Sequence, residues 1–321
     1  MAKNMMENNF KDMGGDKLAD MAKQMMGENF KDMGGDKLAA MAKNMEGDNF
    51  KEMGGDKLAD MAKNMMEDHF KDMGGNKIAD MAKNMMENNF KDMGGDKLVD
   101  MAKNMQGDNF KDMGGLKIAH MAKNMEGDNF KDMGGNKLAD MAKNMEGDNF
   151  KDMGGNKVVL MAKEMNKDLI KGIGNEQAKG MAKAMEKTQL STLQSDQLVG
   201  LATGMKSKEI VEIGNEKLFA MVDTIKKDDV QSLGENHLSS MMSGIDGTQI
   251  GQLEDTKKVS IVDNLQANYF GATTVNFKDI QAASSTETRP TISQENIGKT
   301  KIANAEKTTG FFGRKGLFKL D

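Results

Sequence analysis

The residues with the most scope for chemistry are the 36 methionines. A thioether sulfur is a soft ligand, and two or three of them on one helix face can hold Cu(I). Met141 and Met145 stand four apart, Met61, Met65 and Met66 form a cluster, and Met153 lies nearby in the same unit. Read as ligands, they would make the chain a metal-binding or storage protein. Read as an apolar stripe, they would be core. Comparison within the chain favours core. Position 13 of a twenty-residue unit is Met through Met153, then Ile173, Leu193, Ile213, Leu233 and Leu253. A ligand cannot be exchanged for leucine, but a packing residue can. Met-rich apolar surface also adapts to varied partners, so any methionine left exposed is a candidate docking surface.

The other candidates for chemistry are weaker. Gly-Gly-Asp and Gly-Asp-Asn recur, but without the spacing of a calcium loop, and aspartates at those places suit helix caps. The glycine pairs lack the Gly-Lys-Ser/Thr ending of a phosphate loop. His69, His120 and His237 fall at three different places in the repeat and read as surface substitutions. No serine or threonine precedes Thr188, so a hydroxyl nucleophile has no place in the regular repeats. There is no cysteine, hence no disulfide and no thiolate site. We therefore assign no catalytic residue, no cofactor and no metal, and expect no enzyme. The one local motif left is near the C-terminus, where Phe311, Phe312, Leu317 and Phe318 lie beside Arg314 and Lys315. Aromatics beside cations can dock in a partner's groove or insert at a membrane interface.

The elements that carry these residues follow from the period. Position 1 is Met in twelve units, with Leu201 and Ile261 in the remaining slots, and position 10 is Phe from Phe10 to Phe150. Thirteen units run from Met1 to Ser260. Each holds two helix signals. In the first, Asn136 follows a glycine pair as a candidate cap, and Leu138, Met141, Ala142 and Met145 form one stripe at i, i+3, i+4, i+7. Lys137, Asp140 and Lys143 lie off the stripe, where opposite charges support a helix. In the second, Asp148 is the candidate cap, Phe150 and Met153 share a face, and Gly154 suits a left-handed stop. Neither helix is long enough to stand alone, so adjacent units must stack.

The spacing predicts an all-α fold, an α-solenoid of about 13 helix-pair repeats with a disordered C-terminal tail. At about 8–10 Å per layer the stack would be on the order of 100–130 Å long. Low complexity is the competing reading, and the agreement of caps, stripe and glycine stops argues for a folded chain. Three stretches are distinguished: near-identical Met-rich repeats over 1–157, diverged repeats with a closing helix from Ile261 to Phe270 over 158–270, and the tail over 271–321. Branched aliphatics specify a core better than methionine does, so the diverged repeats should be the more rigid part.

Charge bounds the partners. The chain holds 45 basic and 50 acidic side chains, for a net charge of −5. The tail is +3 and the remainder −8, so the repeats offer no basic face for nucleic acid. No apolar run near the start reads as a signal peptide and none is long enough to span a membrane, which points to the cytoplasm.

The half-unit Lys137-Leu138-Ala139 through Met145, with its copies, resembles the short-helix repeats in the N-terminal superhelical domain of MgtE-type magnesium transporters and in flagellar-motor switch modules. The resemblance covers about 260 residues and rests on apolar spacing. It implies a right-handed stack of short helices serving regulation or interaction. It does not carry over transport or a magnesium site. The expected function is a repeat scaffold or interaction spacer with a protein partner, tethered through the tail. The alternatives are the Cu(I)-binding protein above and a self-assembling filament, since near-identical units permit end-to-end stacking.

Overall fold

The computed structural model describes residues 7–269. The tail motif from Phe311 to Phe318 lies outside the described residues. Within them the chain forms 26 helices and no strand, an all-α repeat solenoid.

Each unit folds as a short and a long helix, such as Gly47–Met53 and Gly55–Lys63. A single residue, Gly54, joins them, with φ +81° and ψ 154°. That backbone lies outside the left-handed helical region and is open essentially only to glycine, because a Cβ would crowd the carbonyl of the preceding residue. The same conformation recurs at position 14 from Gly14 to Gly174, and again at Gly214 and Gly234. This glycine ends one helix and begins the next, so the chain turns without a loop. Where Gln194 replaces it, the backbone returns to φ −73°.

The predicted caps need correction. The short helix Gly147–Met153 is entered through Glu146, so Asp148 falls inside its first turn. The long helix Gly135–Lys143 is entered through Gly134, which places Asn136 in the first turn as well.

The stacking also differs from a pile of helix pairs. Each helix packs against the third one after it. Gly55–Lys63 lies on Glu87–Met93, and Gly47–Met53 lies on Gly75–Lys83. Three helices therefore complete one coil, while two complete one repeat. A long helix always lies on a short one, and coil and repeat come back into phase every third repeat. Twenty-six helices make about nine coils, roughly 70–90 Å at 8–10 Å per layer, shorter than expected from paired layers.

The coils enclose one continuous core. Every phenylalanine from Phe10 to Phe150 at position 10 is fully buried, as are Leu38, Met41, Ala42, Met45 and their copies as far as Met141. Phe at the centre is flanked by Met at positions 1, 5 and 13, whose unbranched chains fill what the ring leaves. Toward the C-terminus, Ile170, Leu190 and Ile210 take the Phe position. Two short helices there, Ser207–Ile213 and Lys227–Leu233, tighten to 3-10 geometry. The final helix is longer than the predicted closing segment and runs Asp255–Tyr269.

Candidate functional site

The methionines that opened the sequence argument lie in the core, with Met41, Met61, Met81, Met101, Met121 and Met141 at 0% exposure. Met61 and Met65 of the predicted cluster are buried, while Met66 stands 63% exposed. Met26 and Met86 occupy the same position 6 and are 73% and 70% exposed.

The polar side chains are committed to holding coil on coil. Asn89 is 4% exposed. Its Oδ1 accepts from the backbone N–H of Met86, 2.8 Å, which caps its own short helix. Its Nδ2 donates to Asp56 Oδ1 one coil earlier, 2.8 Å. Asn49, Asn109 and Asn129 repeat both contacts, with Asp16, Asn76 and Asp96 as acceptors. These asparagines, unnoticed in the sequence, do what Asp148 and its copies were expected to do.

His69 takes the same place in its unit and corrects the surface reading. It is 8% exposed. Its Nδ1 accepts from Met66 N–H and its Nε2 lies 2.8 Å from Asp36 Oδ1, so the ring imitates an asparagine amide in the Nε2–H tautomer. His237 is also tied to an earlier coil, with Nε2 donating to the Met205 carbonyl at 2.9 Å. His120 sits 3.7 Å from Glu87, and its Nδ1 is buried without a partner.

The glycine at position 15 exists for this asparagine. A Cβ at Gly55 would lie 2.2 Å from Asn89 Oδ1, and one at Gly75 would lie 2.2 Å from Asn109 Oδ1. In the diverged repeats the arrangement inverts. Position 15 becomes Asn175 and Ser195, and the residues 34 later become Glu209 and Asp229. Now Asn175 Oδ1 accepts from Lys206 N–H at 2.6 Å while its Nδ2 donates to Glu209 at 3.0 Å. Ser195 does the same with Lys226 N–H at 2.8 Å and Asp229 at 2.5 Å. The short helix is capped from the coil below instead of from within. Ser195 and Asp229 have no histidine beside them in these bonds, so the pair is a tie and not a nucleophile with its base.

Position 17 supplies a second tie. Lys57, Lys77, Lys97, Lys117, Lys137 and Lys157 each donate to the carbonyl of the position-5 methionine 32 residues earlier. That carbonyl lies at or just past the cap of a long helix, in the joint to the next short one, where no helical N–H reaches it. Gln177 keeps the contact to Met145 at 3.0 Å. Burial at this site pushes the Lys117 ammonium down from its ordinary pKa.

Outer ion pairs complete the surface. Lys23–Glu52 at 2.8 Å and Lys43–Asp72 at 3.5 Å bridge coils. In the diverged part Lys179 reaches Glu209 at 2.7 Å and Glu176 at 3.2 Å. The hydrogen bonds from Lys179 and Asn175 lower the Glu209 carboxyl to about 2, and the bond to Glu209 raises Lys179. Asp80 and Asp100 are raised by burial.

A shallow groove of about 640 Å³ runs across Lys187–Leu190, Asn215–Thr224 and Gly247–Gln252, with Phe219, Thr188 and Ser191 in its wall. Among the described residues no three His, Asp or Glu side chains are grouped to hold a metal ion. No described helix is long and apolar enough to cross a membrane. Comparison with protein-family models, with curated proteins and with solved structures finds no match.

Proposed function

We propose that the chain is a non-enzymatic repeat scaffold, a spacer that holds a protein partner at a set distance and works in the cytoplasm. The observation that carries this reading is the recurrence of the same ties in coil after coil of the near-identical repeats. Asn89 to Asp56, Lys97 to Met65 and their copies lock neighbouring coils at one spacing. A body so built converts repeat number into length. Its buried asparagines are spent on these ties, and its buried thioethers pack against Phe and Leu. The tail, with Phe311, Phe312, Arg314, Lys315, Leu317 and Phe318, is the segment we assign to docking.

The test compares the full chain with a chain ending at Gly271 as bait. Loss of the captured partner on truncation supports docking through the tail, and equal capture by both refutes it. Tight binding of several equivalents of Cu(I) would overturn the scaffold reading in favour of metal binding. An apparent mass by light scattering that rises with protein concentration would favour the filament.

A further inference from the structure

The buried sulfurs are unevenly distributed. In the near-identical repeats, positions 1, 5 and 13 each carry a thioether, and Met61, Met65 and Met73 are 0%, 0% and 6% exposed. In the diverged repeats the thioethers thin out. Position 13 is Ile173, Leu193, Ile213, Leu233 and Leu253, position 5 ends in Ile225 and Ile245, and Leu201 interrupts position 1. One core thus falls from three thioethers per repeat to two or fewer along its length, with Met205, Met221, Met241 and Met242 still buried. A separate set of sulfurs lies outside it. Met26, Met66 and Met86 are 73%, 63% and 70% exposed, at a position filled elsewhere by Glu46, Gln106 and Glu126. The polar residues at that position show that packing does not require a methionine there.

We propose that the chain carries two tiers of methionine sulfoxidation site: an outer tier at Met26, Met66 and Met86 that reacts without loss of fold, and an inner tier whose reaction opens the near-identical repeats at a lower dose than the diverged ones. The co-reactant is a two-electron oxygen donor of the hydroperoxide or hypochlorous acid class. With hydrogen peroxide, the sulfur lone pair attacks one peroxide oxygen and the O–O bond breaks as the S–O bond forms. The second oxygen leaves as water after proton transfer. Sulfur is oxidised, and the peroxide is reduced.

The consequences differ by tier. A sulfoxide on Met66 projects into water. A sulfoxide on Met61 would place a strong acceptor among Phe and Leu side chains with no donor to meet it. The inner sulfurs are reached only through local opening, so the outer tier reacts first. Once an inner sulfur is oxidised its coil cannot close again, and the neighbouring coils lose one side of their packing. The diverged repeats, with Ile or Leu at position 13, offer fewer such sites, which over 195–253 are Met205, Met221, Met241 and Met242. Oxidant therefore acts as a graded switch along the body.

The test treats the full chain with increasing hydrogen peroxide. Sulfoxide is placed by mass spectrometry of overlapping peptides, and amide exchange is read on the same samples. Oxidation should be at least about tenfold faster at Met26, Met66 and Met86 than at Met41, Met61 and Met81, since susceptibility follows exposure. Exchange should stay unchanged while only the outer tier is oxidised. As the dose rises, the amides of 35–153 should lose protection first and those of 195–253 only at a distinctly higher dose, and methionine sulfoxide reductases should restore the loss. The triple variant M26L/M66L/M86L should lose the fast phase with unchanged exchange. The variant M53I/M73I/M93I/M113I, which copies the diverged position 13, should raise the dose that opens 35–153. Equal rates in the two tiers, or loss of protection in both blocks at one dose, would overturn the proposal.

Discussion

Replacing Gly55 with alanine tests the inter-coil clamp directly. The new Cβ would stand 2.2 Å from Asn89 Oδ1 and 3.0 Å from the Asn84 carbonyl. The backbone carbonyl cannot move away cheaply, so the asparagine must withdraw. It then gives up two hydrogen bonds of 2.8 Å, to Met86 N–H and to Asp56. Those bonds are worth about 1 kcal/mol each, and the stranded Met86 N–H costs about 1 kcal/mol more. Alanine in place of glycine in a helix returns about 0.5–1 kcal/mol. The expected net loss is about 2 kcal/mol. Asn89→Ala alone removes the same bonds and should cost a similar amount. In the double variant only the 3.0 Å approach to the Asn84 carbonyl remains, so Gly55→Ala should then cost little. The two costs should therefore fail to add by about 2 kcal/mol. Urea unfolding followed by circular dichroism gives the totals. Amide exchange over Glu87–Met93 localises the loss, because a repeat array need not unfold in two states. Additivity within about 0.5 kcal/mol would refute the clamp.

Four further outcomes are expected. His69→Asn should leave the thermal midpoint nearly unchanged, whereas His69→Ala should cost about 1–2 kcal/mol by removing the cap and the tie to Asp36. Gly54→Ala should cost about 1–3 kcal/mol through its backbone at φ +81°, and unlike Gly55→Ala it should not couple to Asn89, which exchange over Glu87–Met93 will show. Leu116→Asp should stabilise by about 0.5–1 kcal/mol, because Asn149 lies over a position 16 that offers no acceptor and Leu116 is 48% exposed; chemical denaturation will read the gain. Glu209 titrates near 2 in the folded chain, below its ordinary value of 4.5, so its contribution is present above about 4.5 and fades as pH falls toward 2. The difference in melting temperature between the native chain and Glu209→Gln should shrink across that window, and a constant difference would refute the pairing with Lys179.

The period, the helix types and the core residues could be read from the sequence because burial follows local spacing. Phe150 and Met153 repeat at i, i+3, and any helix that hides one hides the other. Replacement of Met153 by Ile173 and Leu193 one and two units later showed that packing was the common need. What escaped was long-range. The pairing of Asn89 with Asp56 spans a coil of three helices, and nothing local in a two-helix unit announces a three-helix coil. A trace was nevertheless present. Position 15 changes from Gly to Asn175 and Ser195 just where the residue 34 later changes to Glu209 and Asp229. The histidines misled for the same reason: His69 stands in a different letter of the unit from His237, yet both donate to an earlier coil. Asp148 was credited with a cap because it precedes Phe150 at the usual distance. The side-chain cap comes instead from Asn149, inside the helix, whose Oδ1 accepts from Glu146 N–H at 2.8 Å.

Two helices to a repeat and three to a coil make the solenoid a kind of gear train. Inserting one unit lengthens the body and also turns everything beyond it by about two-thirds of a revolution. A second unit brings a further turn, and only the third returns the far end to its former heading. Long helices continue to rest on short ones throughout, so the core registers none of these changes. Gain or loss of whole units is thus cheap for folding and abrupt for geometry. Chains that differ by three units would present their ends along the same line, and chains that differ by one or two would point them elsewhere. Any partner that touches both ends would count units in threes.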